Sequence, residues 1–141
     1  MIGENYKHSD ITEKIIGAFF KVYNTLGYGF LEKVYENAMM EELTKTGIKV
    51  VAQHPIKVYY EGKEVGNYFA DLLVDDKVMI ELKAAECIVD QHEAQLLNYL
   101  KATNIEVGIL LNFGREAKFK KKAFANRYKH QNQSYKQKIE R

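Results

Sequence analysis

The stretch from Asp71 to Lys83, Asp-Leu-Leu-Val-Asp-Asp-Lys-Val-Met-Ile-Glu-Leu-Lys, constrains the fold more than any other part of the chain. Val78, Ile80, Leu82 and Ala84 alternate with Met79, Glu81, Lys83 and Ala85, the period of two expected of a strand with two distinct faces. Glu81 and Lys83 therefore share a face. A carboxylate and an ammonium side by side in a Val/Ile/Leu-rich strand cost desolvation energy that two apolar residues would not, so a role beyond packing is indicated. Asp71 lies in the preceding apolar run, and a hairpin can bring it beside Glu81. Two carboxylates and a lysine at one point can hold a divalent cation and steer an attacking water. Glu-x-Lys is also a common tripeptide and cross-strand ion pairs are ordinary, so a structural reading stands beside the catalytic one.

Register sharpens the choice. A two-residue turn at Asp75-Asp76 pairs Asp71 with Ile80 and puts the two acids on opposite faces, because directly paired residues share a face. A metal site therefore demands a three-residue loop or a bulge between positions 71 and 81.

The surrounding sequence supplies a frame for this hairpin. Asp10-Ile-Thr-Glu13 reads as a capping box, and Ile11, Ile15, Phe19, Val22 and Leu26 follow at helical spacing until Gly27, predicting a helix over 10–26. Leu31 to Thr44 reads as a second helix whose apolar arc includes Glu32 and Glu42; a glutamate is also favourable in a first turn for reasons of dipole alone. Residues 48–60 read as a strand, and Pro55 inside it confines that strand to an edge or a bulge. The strands of Asp71 and Glu81 complete an antiparallel meander. Asp90 to Thr103 is a third helix with Leu96, Leu97 and Leu100 as its stripe and His92, Gln95 and Tyr99 along its border. Val107 to Phe113 is apolar on both faces, a buried strand that the intervening helix should make parallel to the strand of Glu81. The expected fold is α/β (α+β) in the order α-α-β-β-β-α-β, with a mixed four-stranded sheet flanked by helices.

Length and charge bound the rest. The 141 residues fit one domain spanning 1–141, with a core over 10–114 and a basic C-terminal helix or tail over 115–141. Residues 1–8 carry no pattern, and 131–141 read as disordered. Cys87 is the only cysteine, which excludes an intrachain disulfide and a cysteine-cluster zinc site. The apolar runs are too short to span a bilayer and the amino terminus lacks the order of a signal peptide, so a cytoplasmic location and no membrane partner are expected. The net charge of +2 hides an asymmetry: residues 115–141 hold ten Lys or Arg against two Glu, so +8, which leaves the first 114 positions at −6. Lys118, Lys120, Lys121, Lys122 and Arg127 interleave with Phe119, Phe124 and Tyr128. Such a pattern suits either a surface that tracks phosphates and stacks bases or a helix packing its aromatics inward.

Taken together the motifs resemble a known pattern. Gly29-Phe-Leu-Glu32-Lys-Val-Tyr35 is similar to the signature of the GxxExxY proteins, which resemble the PD-(D/E)XK nuclease superfamily. Asp71 and Glu81-Leu-Lys83 are similar to that superfamily's acid and Glu-x-Lys pair, with Ala70 where a proline is frequent. Gln95-Leu-Leu-Asn-Tyr99 is similar to the QxxxY motif of its RecB-like and lambda-exonuclease-like branch. The resemblance covers about residues 10–114 and implies a restriction-endonuclease-like core. It also implies Mg²⁺ or Mn²⁺ held by Asp71, Glu81, the carbonyl of Leu82 and Glu32, directly or through water. Lys83 would orient or deprotonate the attacking water, and Gln95 and Tyr99 would position substrate or metal-bound water. Phosphodiester hydrolysis in DNA is the implied reaction, with nucleic acid as partner. A catalytically inactive nucleic-acid-binding or protein-interaction module on the same fold is the alternative, and monomer and homodimer both stay open.

Overall fold

In the computed structural model, which describes residues 7–129, a mixed sheet carries helices on both faces. Its elements are α1 (Ser9–Leu26), α2 (Glu32–Thr44), β1 (Val50–Tyr60), β2 (Lys63–Val74), β3 (Val78–Lys83), α3 (Asp90–Lys101), β4 (Val107–Phe113) and β5 (Ala117–Ala123), followed by a 3₁₀ turn at Asn126–Tyr128. The expected loose segments at 1–8 and 131–141 lie, apart from Lys7 and His8, outside the described residues.

The sheet order β1-β2-β3-β4-β5 follows the chain. All pairs are antiparallel except β3 with β4, which run parallel across the α3 crossover, as the inserted helix requires. The alternation of β3 divides the core in two. Val78, Ile80 and Leu82 pack with Ile15, Phe19, Tyr35, Met39 and Leu43 of α1 and α2. Met79 faces the other way and packs with Leu96, Tyr99 and Leu100 of α3 and with Leu110. Gly108 lets α3 approach the sheet closely: a Cβ there would come within 2.8 Å of Leu96.

Pro55 lies on the outermost strand, where its missing N–H breaks no central ladder. The β1–β2 ladder continues through Tyr60 and Lys63, well past the short β2–β3 ladder at Leu72–Val74, so its distal half projects as a two-stranded arm. The hairpin loop is Asp75-Asp76-Lys77, three residues long, with both aspartates left-handed (φ 53° and 55°). Aspartate tolerates that conformation better than most side chains.

Two expectations are corrected. The first helix starts at Ser9, after a left-handed His8, with no side-chain cap; Asp10 falls within the first turn and acts there only through its charge. The sheet has a fifth strand, formed by residues 117–123 rather than a basic helix. Without β5, the outer edge of β4 would leave a row of buried backbone groups unpaired. Ala117, Phe119 and Ala123 alternate with Lys118, Lys120 and Lys122, a strand period that the run Lys120-Lys121-Lys122 obscures. Phe119 packs on the first core and sits edge-on to Phe20 at 6.3 Å. Lys129, a basic residue of the same C-terminal segment, is turned inward at 3% exposure and donates to the carbonyls of Thr103 and Ile105.

The turn after β4 is tightly constrained. A Cβ on Gly114 would collide with the Ala85 carbonyl and come within 3.0 Å of Asn112 Nδ2, whereas one on Gly17 in α1 would meet nothing. Gly114→Ala should therefore destabilise by ~1–3 kcal/mol, and Gly17→Ala should stabilise by ~0.5–1 kcal/mol through helix propensity. Urea midpoints of the two variants check this; equal midpoints would contradict the packing of the β4–β5 turn on the end of β3.

Candidate active site

The site begins where the β2–β3 ladder stops. Regular pairing runs from Val74↔Val78 to Leu72↔Ile80, and one further step would set Asp71 opposite Glu81. There the strands exchange side chains for carbonyls as acceptors. The Asp71 backbone N–H donates to Glu81 Oε2 at 2.8 Å, and the Leu82 N–H donates to Asp71 Oδ2 at 2.7 Å. The three-residue loop thus brings the acids to one point, as the metal reading demanded. Each carboxylate is anchored through one oxygen, and the other oxygen has no protein hydrogen-bond partner among the described residues.

On its other side Asp71 also lacks a regular partner. The β1–β2 register passes from Ala52↔Leu72 to His54↔Ala70 without pairing Gln53 and Asp71. Gln53 is left-handed (φ 55°) and sends its amide to Glu36 Oε1 at 2.9 Å. Glu36, 6% exposed on α2, also accepts from Lys33 at 2.9 Å.

Burial and mutual repulsion set the electrostatics. Glu81, 5% exposed, has its pKa pushed up to about 8, first by burial and then by the Asp71 charge, against the Asp71 N–H and Lys83. Asp71 is raised in the same way: burial is the largest cause, the Leu82 N–H opposes it, and Glu36 and Glu32 add repulsion. Lys83, half-buried at the end of β3, attracts both acids.

The other candidates come from α2 and α3. Glu32 is the first residue of α2, exposed, and its charge reaches both acids. Its position is set by Tyr35, fully buried, whose hydroxyl donates to the Gly27 carbonyl at 2.6 Å and accepts from the Phe30 N–H at 3.2 Å. The Tyr35 ring stacks on Phe113 at 4.1 Å, tying that turn to β4. Gly29, at φ 111°, makes the turn possible. From α3, Gln95 donates to the Tyr99 hydroxyl at 2.9 Å. The Tyr99 pKa is raised, first by burial and then by Glu81, with a smaller contribution from Asp71. Leu82 contributes its amide.

The expected basic residues are spread over more than one surface. Lys118, Lys120 and Lys122 pair with Asn112, Leu110 and Gly108, and the row Glu81–Leu110–Lys120 puts them on the face of the sheet that carries Glu81. Lys122 is engaged by Glu93 at 2.7 Å and Lys118 by Glu116 at 3.7 Å. Lys121 points to the opposite face, and Arg127 lies over the Tyr128 ring in the 3₁₀ turn.

Three supporting residues escaped the sequence reading. Glu36 stands one turn after Glu32 on the same helix face, a spacing that could have flagged it. Asn112 is 1% exposed in an otherwise apolar strand, and that mismatch was its signal. Its side chain accepts from the Ala85 N–H at 2.9 Å and donates to the Ala85 carbonyl at 3.0 Å, clamping the chain just past Lys83. Gln53 carries no sequence signal of its left-handed backbone.

The donor set suits a hard divalent cation. Among the described residues no group of three His, Cys, Asp or Glu side chains is gathered closely enough to cage an ion by itself. Magnesium commonly takes only one or two carboxylates and fills its octahedron with water and substrate phosphate. Asp71 and Glu81, with their spare oxygens and shared repulsion, fit that pattern. Among the described residues no helix is long and apolar enough to cross a membrane.

The family model that matches the chain, over residues 9–124, is that of the PD-(D/E)XK nuclease superfamily. No curated protein matches it.

The raised pKa values carry a sign. A carboxyl that binds its proton more tightly when folded lends stability below its unfolded value, and this is lost as pH rises through the folded value. In chelator, stability should fall between pH 4.5 and about 8, and Glu81→Gln should remove most of that slope. Urea denaturation across the window checks this; a midpoint that climbs with pH there would refute the buried pair.

Proposed function

We propose that this chain, which belongs to the PD-(D/E)XK nuclease superfamily, is a metal-dependent nuclease that hydrolyses phosphodiester bonds of DNA. The observation that carries the reading is the reciprocal anchoring of Asp71 and Glu81 by the opposing backbone. It fixes two carboxylates beside Lys83 while leaving an oxygen of each open. The finer placement, with the GxxExxY proteins and the RecB-like branch, rests on Gly29 to Tyr35 and on Gln95 to Tyr99.

Asp71, Glu81 and the Leu82 carbonyl would hold Mg²⁺ or Mn²⁺, with Glu32 adding a carboxylate directly or through water. Such an ion supplies Lewis acidity toward a phosphate oxygen and lowers the pKa of bound water. In the reaction the oxygen of water bonds to phosphorus as the bond to the leaving sugar oxygen breaks, and negative charge grows on the non-bridging oxygens. Lys83 donates to that charge and orients the attacking water. Gln95 and Tyr99 form a hydrogen-bonded pair at the mouth of the site that holds the scissile phosphate or a water in line. Lys120, with the ion-paired Lys118 and Lys122 on the same face, offers positive charge to the flanking backbone, while Lys121 faces the reverse side and Arg127 lies over the Tyr128 ring. Glu36 and Asn112 are positioning residues: one holds Gln53 against the break in the ladder, the other holds the end of β3.

Labelled single- and double-stranded DNA incubated with Mg²⁺, Mn²⁺ or chelator tests the proposal. Cleavage is expected only with metal. Asp71→Asn or Glu81→Gln should abolish it and leave the metal-free fold as stable or more so, since the amide oxygen can still accept from the opposing backbone N–H while the repulsion is removed. Lys83→Ala should cost ~10²–10³-fold in turnover yet keep the rise in Tm that metal gives the wild type by mass action. A wild-type protein that neither cuts nucleic acid nor gains Tm from either ion would leave a binding module on this fold as the reading to adopt.

A further inference from the structure

We propose that the groove between the β1–β2 arm and α3 is a subsite for an unpaired nucleobase, which makes the strand presented to the acids a single strand. The inference rests on the nuclease reading for the place of the phosphate, but not for the binding itself.

The groove encloses about 590 Å³, within the ~300–1,000 Å³ common for small-ligand sites. Val58, Val65 and Gly66 of the arm form one wall, and Ala94, Gln95 and Asn98 of α3 form the other. Two tyrosines join them. Tyr68, 47% exposed on the arm, lies over Gly66, where a Cβ would come within 3.1 Å of its ring, and its centroid is 5.6 Å from that of Tyr99. Tyr99 and Gln95 line the groove, and Tyr99 packs in the same buried cluster as Ala70 and Met79 of β2 and β3, so the groove borders the strands that carry Asp71 and Glu81.

The chemistry of the walls selects the occupant. An exposed tyrosine ring offers a flat π surface, on which a base stacks whatever its identity. The carboxamides of Gln95 and Asn98 present both donors and acceptors, matching the edge of a base. Lys101 and Lys57, the latter paired with Glu64 at 3.7 Å, line the groove and among the described residues no acidic side chain does, so the charge of its lining suits a phosphodiester. A paired base inside a duplex is covered on both faces and cannot reach such a ring, whereas an unstacked one can.

Binding of a fluorescent single-stranded oligonucleotide, the same backbone without bases, and a duplex, measured by anisotropy in chelator, tests this. The wild type should prefer the base-bearing strand over both others. Tyr68→Ala should weaken that strand at least about fivefold, from the lower end of base-stacking energies, and leave the abasic strand unchanged. Tyr68→Phe should stay near wild type, and Ala94→Phe, which fills the groove from an exposed helix position, should behave like Tyr68→Ala. Equal binding of base-bearing and abasic strands, no retention of any strand, or indifference to both Tyr68→Ala and Ala94→Phe overturns the proposal. Cleavage measured in parallel separates the two readings. A wild type that cuts DNA without base preference loses the groove alone, and one that prefers bases but never cuts loses the nuclease alone.

Discussion

Everything in the site depends on one substitution of hydrogen-bond acceptors, at the point where β2 and β3 would otherwise continue as a ladder. A regular ladder satisfies N–H groups with carbonyls. Here the Asp71 and Leu82 N–H groups are satisfied by the carboxylates of Glu81 and Asp71. That exchange parts the strands and fixes both side chains by backbone, not by other side chains. It also brings two like charges into a buried place, which is why both acids hold their protons above the ordinary range. A buried repulsive pair is a poor way to stabilise a sheet, since apolar residues of similar size would do better. Its presence makes sense if a cation completes the charge balance.

The second dependence runs through Tyr35. Its hydroxyl gathers the turn at Gly27 and Phe30, and its ring stacks on Phe113 at the end of β4. One residue therefore couples the start of α2, where Glu32 sits, to the strand that lies beside β3. The spacing from Gly29 to Tyr35 has a physical meaning in these terms. A glycine turns the chain, a glutamate opens the helix, and a tyrosine one turn later ties both to the sheet. Asn112, on the same strand as Phe113, does the corresponding job for the segment beyond Lys83.

Much of this was legible in the sequence where one physical pattern dominated. The alternation of β3 gave two faces, Pro55 gave an edge strand or a bulge, of which the edge is found, and the demand that the acids meet gave a three-residue loop or a bulge, of which the loop is found. The pattern failed where two signals competed. At 117–123, a strand period was masked by three consecutive lysines and by aromatics further on, and only the unpaired edge of β4 decides for a strand. At Asp10, a capping motif was overruled by the left-handed backbone of His8. Helical faces offered Glu32, Gln95 and Tyr99 as candidates, but the part of Glu36 could not be separated from that of any glutamate on a solvated helix. Gln53 was beyond reach, because no local propensity favours a left-handed glutamine; the split ladder and the buried Glu36 impose it together.

The uneven cover around the acids has a functional logic. Toward α1 and α2 the sheet is sealed by aromatic and aliphatic packing, while toward the β1–β2 arm the second core thins to Ile56 and Ala70 beneath exposed tyrosines. A water-poor side strengthens the attraction of Lys83 for the acids and for any charge that develops beside them. An open side admits a long polymer that no closed pocket could take. The distal half of the arm has no third strand on it, so it can serve as a wall for a ligand without disturbing the ladder that fixes the carboxylates. Rigidity and access are thus assigned to different halves of the same hairpin, and the boundary between them is the broken pair at Asp71 and Glu81.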